Sequence, residues 1–359
     1  RKTETMKITF CLPLILKNPA GGYKIVFEYA NRLVERSHDV TIVFLTDANY
    51  TNTTKSNILK KLLGTIELFN YPKWFELDKK VKKIATPYLD GRDFPEAEVV
   101  FATSLRTSFI VQNLSYKKGR KFYLIQGFEN WSVSDDEVFE SYKLGLRNIV
   151  ISKWLEGLVR QYDKNVKLIS NAIATDQFYI EMPIESRNPY NISMLYHENP
   201  QKGFDIAFKA INLVKQKHPN ISLHLFGVPK RPDGLESWIS YTEKADINQL
   251  REIYNKSSIY VCASRNDGFG LTGAESMACG CALASTAFQG VFEYAKDGEN
   301  SLLSPVNDID ALAKNIMTLI EDNQLRLRIA KQGNKDISKH SWDRAINQME
   351  KILKEGADK

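Results

Sequence analysis

The sequence predicts an α/β protein made of two doubly wound domains facing a cleft, and three observations carry that expectation. Short apolar runs rich in β-branched residues alternate with helical patterns along the whole chain. The runs are nearly continuous rather than alternating, which suits strands buried on both faces of a parallel sheet. The length, 359 residues with 43% hydrophobic side chains, is enough to give each of two domains its own core.

In the first half the runs are 8–12, 40–45, 99–102, 122–125 and 149–151. Between the first two lies a helix whose apolar residues Ile25, Val26, Tyr29, Ala30, Leu33 and Val34 follow a 3.6-residue period. Strand, helix, strand at that spacing is a βαβ unit, and several in series make an open parallel sheet. Residues 1–170 are therefore read as one Rossmann-like domain. Residues 171–190 break the rhythm with Pro183, Pro189 and several polar side chains, and are read as a hinge. The runs 192–196, 221–226, 259–263 and 282–284 restart the series as a second Rossmann-like domain over 191–337. Ala345, Ile346, Met349, Ile352 and Leu353 mark an amphipathic closing helix within 338–359.

Composition excludes several classes. No run of 18 apolar residues occurs, so no membrane-spanning helix is expected. Met6 reads as a native start, with residues 1–5 a polar lead-in foreign to it and no signal peptide after it. A soluble, cytoplasmic protein is the expectation. Cys11, Cys262, Cys279 and Cys281 have neither zinc-site nor disulfide-framework spacing, so no metal site is expected. Charge is uneven: residues 1–180 hold 27 Lys and Arg against 20 Asp and Glu, the remainder 22 against 23. The basic excess gathers at Lys60 and Lys61, at Lys79, Lys80, Lys82 and Lys83, and at Lys117, Lys118, Arg120 and Lys121. Such clusters are either solvated faces or attractors of an anionic surface. They accompany no nucleic-acid reading module, so no nucleic-acid partner is expected.

The sharpest local signal is the stretch 264–280, after the run 259–263 and leading into a helix expected near Thr272. Gly268 and Gly270 let the backbone turn tightly and approach a ligand. A helix N-terminus there offers unpaired N–H groups and partial positive charge to a diphosphate. Asp267 and Glu275 could each accept hydrogen bonds from vicinal hydroxyls. Equally, Thr272 and Glu275 have capping-box spacing, and Asp267 before Gly268 can be a turn residue.

The stretch 267–280 resembles the signature of glycosyltransferase family 4, retaining enzymes of the GT-B fold, in which two acidic residues flank seven others. Other pieces agree in order: Pro19 to Gly22 resembles that family's N-terminal glycine loop, Arg36 to Val40 its helix-to-strand corner, and 169–178 the approach to its hinge. Lys202, Gly203 and Asp205 resemble its phosphate-binding loop, and Ser341 with Trp342 fits its helical end. The resemblance implies that Glu275 binds the ribose hydroxyls and Asp267 the donor sugar. It gives Gly268, Phe269, Gly270, Leu271 and Thr272 contacts to sugar and phosphate, and makes Lys202 the neutraliser of the leaving diphosphate. Gly21 and Gly22 would bring the first domain's backbone to that diphosphate.

Three departures from the family pattern follow. The first acid is Asp267 rather than Glu, so it reaches one methylene less far. His197 stands where the family has an arginine, a weaker clamp for a diphosphate; if it faces phosphates, its protonation is favoured. No histidine lies between His38 and His197, which leaves Gln126 to Trp131 as the substitute lining on the acceptor side. There Gln126 and Glu129 are the candidates, with Glu129 either positioning an acceptor hydroxyl or lying exposed on a loop.

The resemblance implies a nucleotide-sugar-dependent retaining glycosyltransferase, with a UDP- or dTDP-sugar as donor substrate and no cofactor. It points to a glycan or lipid-linked acceptor in cell-surface polysaccharide biosynthesis, with peripheral contact of the basic first domain on the inner membrane face. Gln126 to Trp131 and Tyr142 to Gly145 loosely resemble rhamnosyltransferases of the family. Two rivals remain: a catalytically silent sugar-nucleotide binder and a nucleotide-dependent oxidoreductase. The latter needs a G-x-G-x-x-G turn that residues 18–24 lack.

Overall fold

The structure is a computed structural model that describes residues 5–355; the lead-in read over residues 1–5 and the chain's last four residues fall almost wholly outside them. It divides into two compact units, one reaching Ser170 and regaining the chain from Ile346, the other spanning Asn171–Ala345.

The first unit alternates strand and helix: β1 Lys7–Leu12, α1 Gly21–Glu35, β2 Asp39–Leu45, α2 Asn57–Leu68, β3 Lys82–Thr86 and β4 Val99–Ala102. There follow α3 Leu105–Gln112, β5 Arg120–Ile125, α4 Asp135–Tyr142, β6 Arg147–Val150, α5 Lys153–Val159 and β7 Lys167–Leu168. The seven strands are all parallel, in the order β3-β2-β1-β4-β5-β6-β7. The order reverses direction between β1 and β4, the topological switch of a doubly wound sheet. Phe10 stacks on Phe101 at 4.8 Å across that pair, within a buried core of Val, Ile and Phe.

The second unit repeats the plan: β8 Asn191–Leu195, α6 Phe204–Lys217, β9 Ser222–Gly227, β10 Ile239–Glu243, α7 Ile247–Lys256, β11 Ile259–Cys262, α8 Leu271–Ala278, β12 Ala282–Thr286 and β13 Leu302–Ser304. Two helices close it, α9 Ile309–Glu321 and α10 Asn323–Ile337, and α11 Trp342–Lys354 follows them. Its six parallel strands run β10-β9-β8-β11-β12-β13, with the switch between β8 and β11. Ile192, Met194, Val261 and Ala284 from the sheet pack with Ile206 and Ile211 of α6 and Ile316 of α9.

Every apolar run read as a strand is a strand, but β3, β7, β10 and β13 went unread. All four are the edges of their sheets; β3, β7 and β10 are rich in polar residues, and β13, Leu302–Ser304, is only three residues long. An edge strand has one unpaired side and needs less apolar surface. Lys82 and Lys83, read as a surface cluster, belong to β3, and Lys83 Nζ donates to the carbonyls of Leu68 and Tyr71. Residues 171–190, read as a hinge, fall within the second unit and hold a short 3₁₀ turn at Ile184–Ser186 as their one helical or strand element. The closing helix α11 begins in the second unit and ends in the first, where Glu350 accepts from Arg36 and pairs with buried His38 at 3.0 Å. The corner at 36–40 is therefore a structural anchor: Ser37 takes a positive φ of 70° and His38 Nδ1 accepts the Met6 N–H.

Candidate functional site

In the second unit the loops leaving β8 and β11, residues 196–203 and 263–270, meet at the switch point, where doubly wound sheets leave a crevice for ligands. They are stitched together. The Arg265 N–H donates to the Gln201 carbonyl at 2.8 Å, and the Arg265 guanidinium forks onto both oxygens of Asp205 at 2.9 and 2.7 Å. Gly203 sits at φ 65°, and a Cβ there would lie 1.7 Å from the Ala263 carbonyl oxygen. No side chain fits, which is why the turn carrying Lys202 can lie directly on the end of β11.

Lys202 Nζ reaches Asp267 Oδ2 at 2.6 Å. Asp267 Oδ1 accepts the N–H groups of Phe269 at 3.1 Å and Gly270 at 2.9 Å. Burial alone would push the Asp267 carboxyl up; the Lys202 charge and these three hydrogen bonds outweigh it and hold it below the usual carboxylate range. Burial likewise opposes the Lys202 ammonium, and Asp267 reverses that and raises it. Asp267 is thus a charged, fixed anchor and more than a turn residue.

Helix α8 begins at Leu271, one residue before the start expected, and its N-cap is Gly270 at φ 82° with no side-chain cap. The capping box between Thr272 and Glu275 does not form. Glu275 lies beyond the first turn, 4% exposed, 3.4 Å from the Tyr254 hydroxyl. Phe269 is buried against Tyr294 and His340, so its side chain belongs to the core. Gly268 is buried, and Leu271 and Thr272 are half-buried at the helix start.

His197 lies in the loop that follows β8, beside Lys202. Burial and the nearby Lys202 charge lower its pKa, and Nδ1 accepts the Asn199 N–H at 2.9 Å. In this state the ring is neutral with its proton on Nε2, a single N–H donor.

The helix starts point to an anion. Ser or Asp side chains cap α2, α3, α4, α5, α7, α9 and α10. By contrast α1, α6 and α8 begin on Ala20, Gly203 and Gly270 with no side-chain cap. No side-chain cap covers these starts, although the Ile206 and Gly273 N–H groups reach back to the carbonyls of Gly203 and Gly270, and the two starts in the second unit flank Lys202 and Asp267.

In the first unit Gly21 and Gly22 open α1, and Gln126 Nε2 donates to the Gly22 carbonyl at 3.2 Å. Glu129 is not an exposed loop acid. Its Oε2 accepts the Leu105 N–H at the start of α3, at 3.0 Å, and burial pushes its carboxyl up to about 7. Sequence reasoning missed the Arg265–Asp205 fork, whose partners lie 60 residues apart. It also missed Arg106, which donates to the Pro13 carbonyl and pairs with Asp47 at the first sheet's switch. Among the described residues no cluster of His, Cys, Asp or Glu could hold a metal ion, and no helix is long and apolar enough to cross a membrane.

Comparison with known proteins agrees with this geometry. Residues 185–336 match the family described as Glycosyl transferases group 1. An uncharacterized glycosyltransferase of Methanocaldococcus jannaschii is 28% identical over 97% of this chain and 98% of its own length. The lipopolysaccharide core biosynthesis glycosyltransferase LpsE of Rhizobium meliloti is 24% identical over 49% of this chain and 54% of its own. The structure of Anabaena HepE in complex with UDP-glucose superposes with a TM-score of 0.75 over 98% of this chain and all of that one, at 16% identity. The sequence likeness to group 1 glycosyltransferases thus lies over residues 185–336, and the likeness of fold, that of GT-B proteins, extends over the whole chain.

Proposed function

We propose that the chain is a retaining glycosyltransferase that moves a sugar from a nucleoside diphosphate to a glycan or lipid-linked acceptor in cell-surface polysaccharide assembly. One observation carries the reading: the Lys202–Asp267 pair, fixed at a switch point between the uncapped starts of α6 and α8. The diphosphate takes the first-turn N–H groups and the Lys202 ammonium, with the His197 Nε2–H as a further donor. Glu275 accepts from the ribose hydroxyls. Asp267 holds donor-sugar hydroxyls, and Gly268 to Thr272 line the sugar and phosphate through their backbone. In the first unit Gly21 and Gly22 offer a glycine-opened helix start to an anion, and Gln126 and Glu129 position the acceptor hydroxyl.

In the reaction the bond from the anomeric carbon to the diphosphate breaks, and a bond to the acceptor oxygen forms on the same face. The acceptor's proton passes to the departing phosphate oxygen, so no separate base is required. Charge grows on that phosphate in an oxocarbenium-like transition state, and preorganised N–H groups with Lys202 stabilise it. LpsE's named role in lipopolysaccharide core biosynthesis and HepE's bound UDP-glucose favour a surface glycan acceptor and a UDP-sugar; a deoxythymidine-diphosphate sugar such as rhamnose is the other donor to try. Each donor is incubated with the enzyme and lipid-linked or oligosaccharide acceptors, and the product's anomeric configuration is read by proton NMR. Retention from one donor is expected. Inversion, or no turnover with any donor, overturns the proposal, the latter leaving a silent sugar-nucleotide binder.

A further inference from the structure

The chain between β1 and α1, residues 13–20, has no regular structure. Yet four of its carbonyls in a row are each taken by a side chain. Arg106 Nη1 donates to the Pro13 carbonyl at 2.8 Å, and the Tyr23 hydroxyl to that of Leu14 at 2.8 Å. Asn49 grips Ile15 twice, its Nδ2 donating to the carbonyl at 3.2 Å and its Oδ1 accepting the N–H at 3.0 Å. The Leu16 carbonyl accepts from the Tyr71 hydroxyl at 2.9 Å and from Trp74 Nε1 at 3.5 Å. The donors come from four places: α1 itself, the loop after β2, the segment after α2 and the first turn of α3.

A surface loop ordinarily leaves its carbonyls to water and stays mobile. Here the donors are stiff. Three of them surround the buried Phe27 ring, Tyr23 at 6.1 Å, Tyr71 at 6.3 Å and Trp74 at 5.5 Å. Tyr71 also packs on Phe44 at 5.3 Å, and Arg106 is held by its ion pair with Asp47. Ile15, in the middle of the stretch, is 2% exposed. The loop runs into Gly21 and Gly22, the start of α1 that has no side-chain cap, where Gln126 holds the Gly22 carbonyl. The engaged carbonyls also repel an anion less, because each partial negative charge faces a donor.

We propose that Asn49, Tyr71 and Arg106 are positioning residues for the transfer reaction, fixing the stretch 13–16 and with it the glycine start of α1 before substrate arrives. This rests on the proposed function, which offers that start to an anion, the diphosphate. A stretch that is already ordered pays no conformational entropy as charge grows on the leaving phosphate, so the clamp acts on the rate. Binding of the bare nucleotide depends instead on Lys202 and Glu275 of the second unit.

Asn49→Ala and Tyr71→Phe test this, since removing Arg106 would also leave Asp47 without its ion pair. Tyr71→Phe takes away the hydroxyl and keeps the ring. Hydrogen exchange over residues 13–22, nucleotide affinity by calorimetry and kcat are measured on the full chain. Asn49→Ala should speed exchange in that stretch and lower kcat about tenfold, the worth of the hydrogen bonds lost. Tyr71→Phe should lower kcat about threefold, because Trp74 still donates to Leu16. In both variants the dissociation constant of a nucleoside diphosphate should stay within about twofold of the wild type. Unchanged exchange overturns the clamp, and faster exchange with an unchanged kcat overturns the positioning role. So does a loss of nucleotide affinity as large as the loss of rate, which marks a general structural defect. If no donor is turned over, the transfer reading itself has failed and this role falls with it, while exchange still reports whether the stretch is clamped.

Discussion

Replacing Asp267 by Asn removes one negative charge yet leaves an oxygen where the Phe269 and Gly270 amides donate. What is lost is the ion pair with Lys202, whose side chain is 33% exposed against 17% for Asp267. Exposed pairs are worth at most about 1 kcal/mol, and removing one partner of a buried pair costs about 3–5 kcal/mol. Intermediate burial places this loss near about 2 kcal/mol, or a Tm lowered by about 4–8 °C in a unit of this size. The sign of the pH dependence follows from the carboxyl's lowered pKa. The pair's stabilisation is present above the ordinary carboxylate range and is lost as pH falls through the folded value, so the two melting curves converge in acid. Transfer should fall about a hundredfold, the usual cost of one preorganised electrostatic contact, while affinity for a bare nucleoside diphosphate holds or rises because Lys202 is released. Differential scanning fluorimetry across pH and a transfer assay check both halves. An equal Tm, or a gap that persists in acid, refutes the ion-pair argument; an unchanged rate refutes the placement of Asp267 in the site.

Gly203→Ala should cost about 1–2 kcal/mol for the left-handed backbone alone. The collision with the Ala263 carbonyl should add to that by displacing the Lys202 turn, so melting temperature and nucleotide affinity fall together. Glu129 has its carboxyl raised to about 7 by burial, the Leu105 N–H opposing. Its contribution to stability is therefore full below the ordinary carboxylate range and lost as pH rises toward about 7. Glu129→Gln keeps an acceptor for the Leu105 N–H, so its melting temperature should match the wild type in acid and exceed it above neutrality. Under the proposed role, the same variant loses any limb of the pH–rate profile near neutrality.

The central strands were legible because burial on both faces demands runs such as 40–45 and 99–102 that admit almost no polar residue. The edges were not. Lys82 and Lys83 in β3, and Ser240, Thr242 and Glu243 in β10, satisfy an edge strand while reading as loop. Lys202 and Asp267 were legible from local motifs, but their mutual bond joins loops 65 residues apart, and only the shared switch point brings them together. Glu275 shows the limit of local pattern: capping-box spacing fitted it, yet the helix starts on Gly270 because the loop needs a left-handed residue there. Lys60, read as part of a surface cluster, is turned inward, and it is the apolar residues beside it that face solvent.

The account stands most directly on nucleotide binding at the β8–β11 switch, with Glu275 as the ribose acceptor. Titration calorimetry of uridine and deoxythymidine diphosphates into the wild type and Glu275→Gln measures it. The account predicts binding of at least one nucleotide by the wild type and a dissociation constant about 10- to 100-fold higher in the variant, the worth of a hydrogen bond to a charged group. If neither nucleotide binds, or one binds both proteins equally, the pair at Lys202 and Asp267 is no donor site and the proposed transfer has no physical footing.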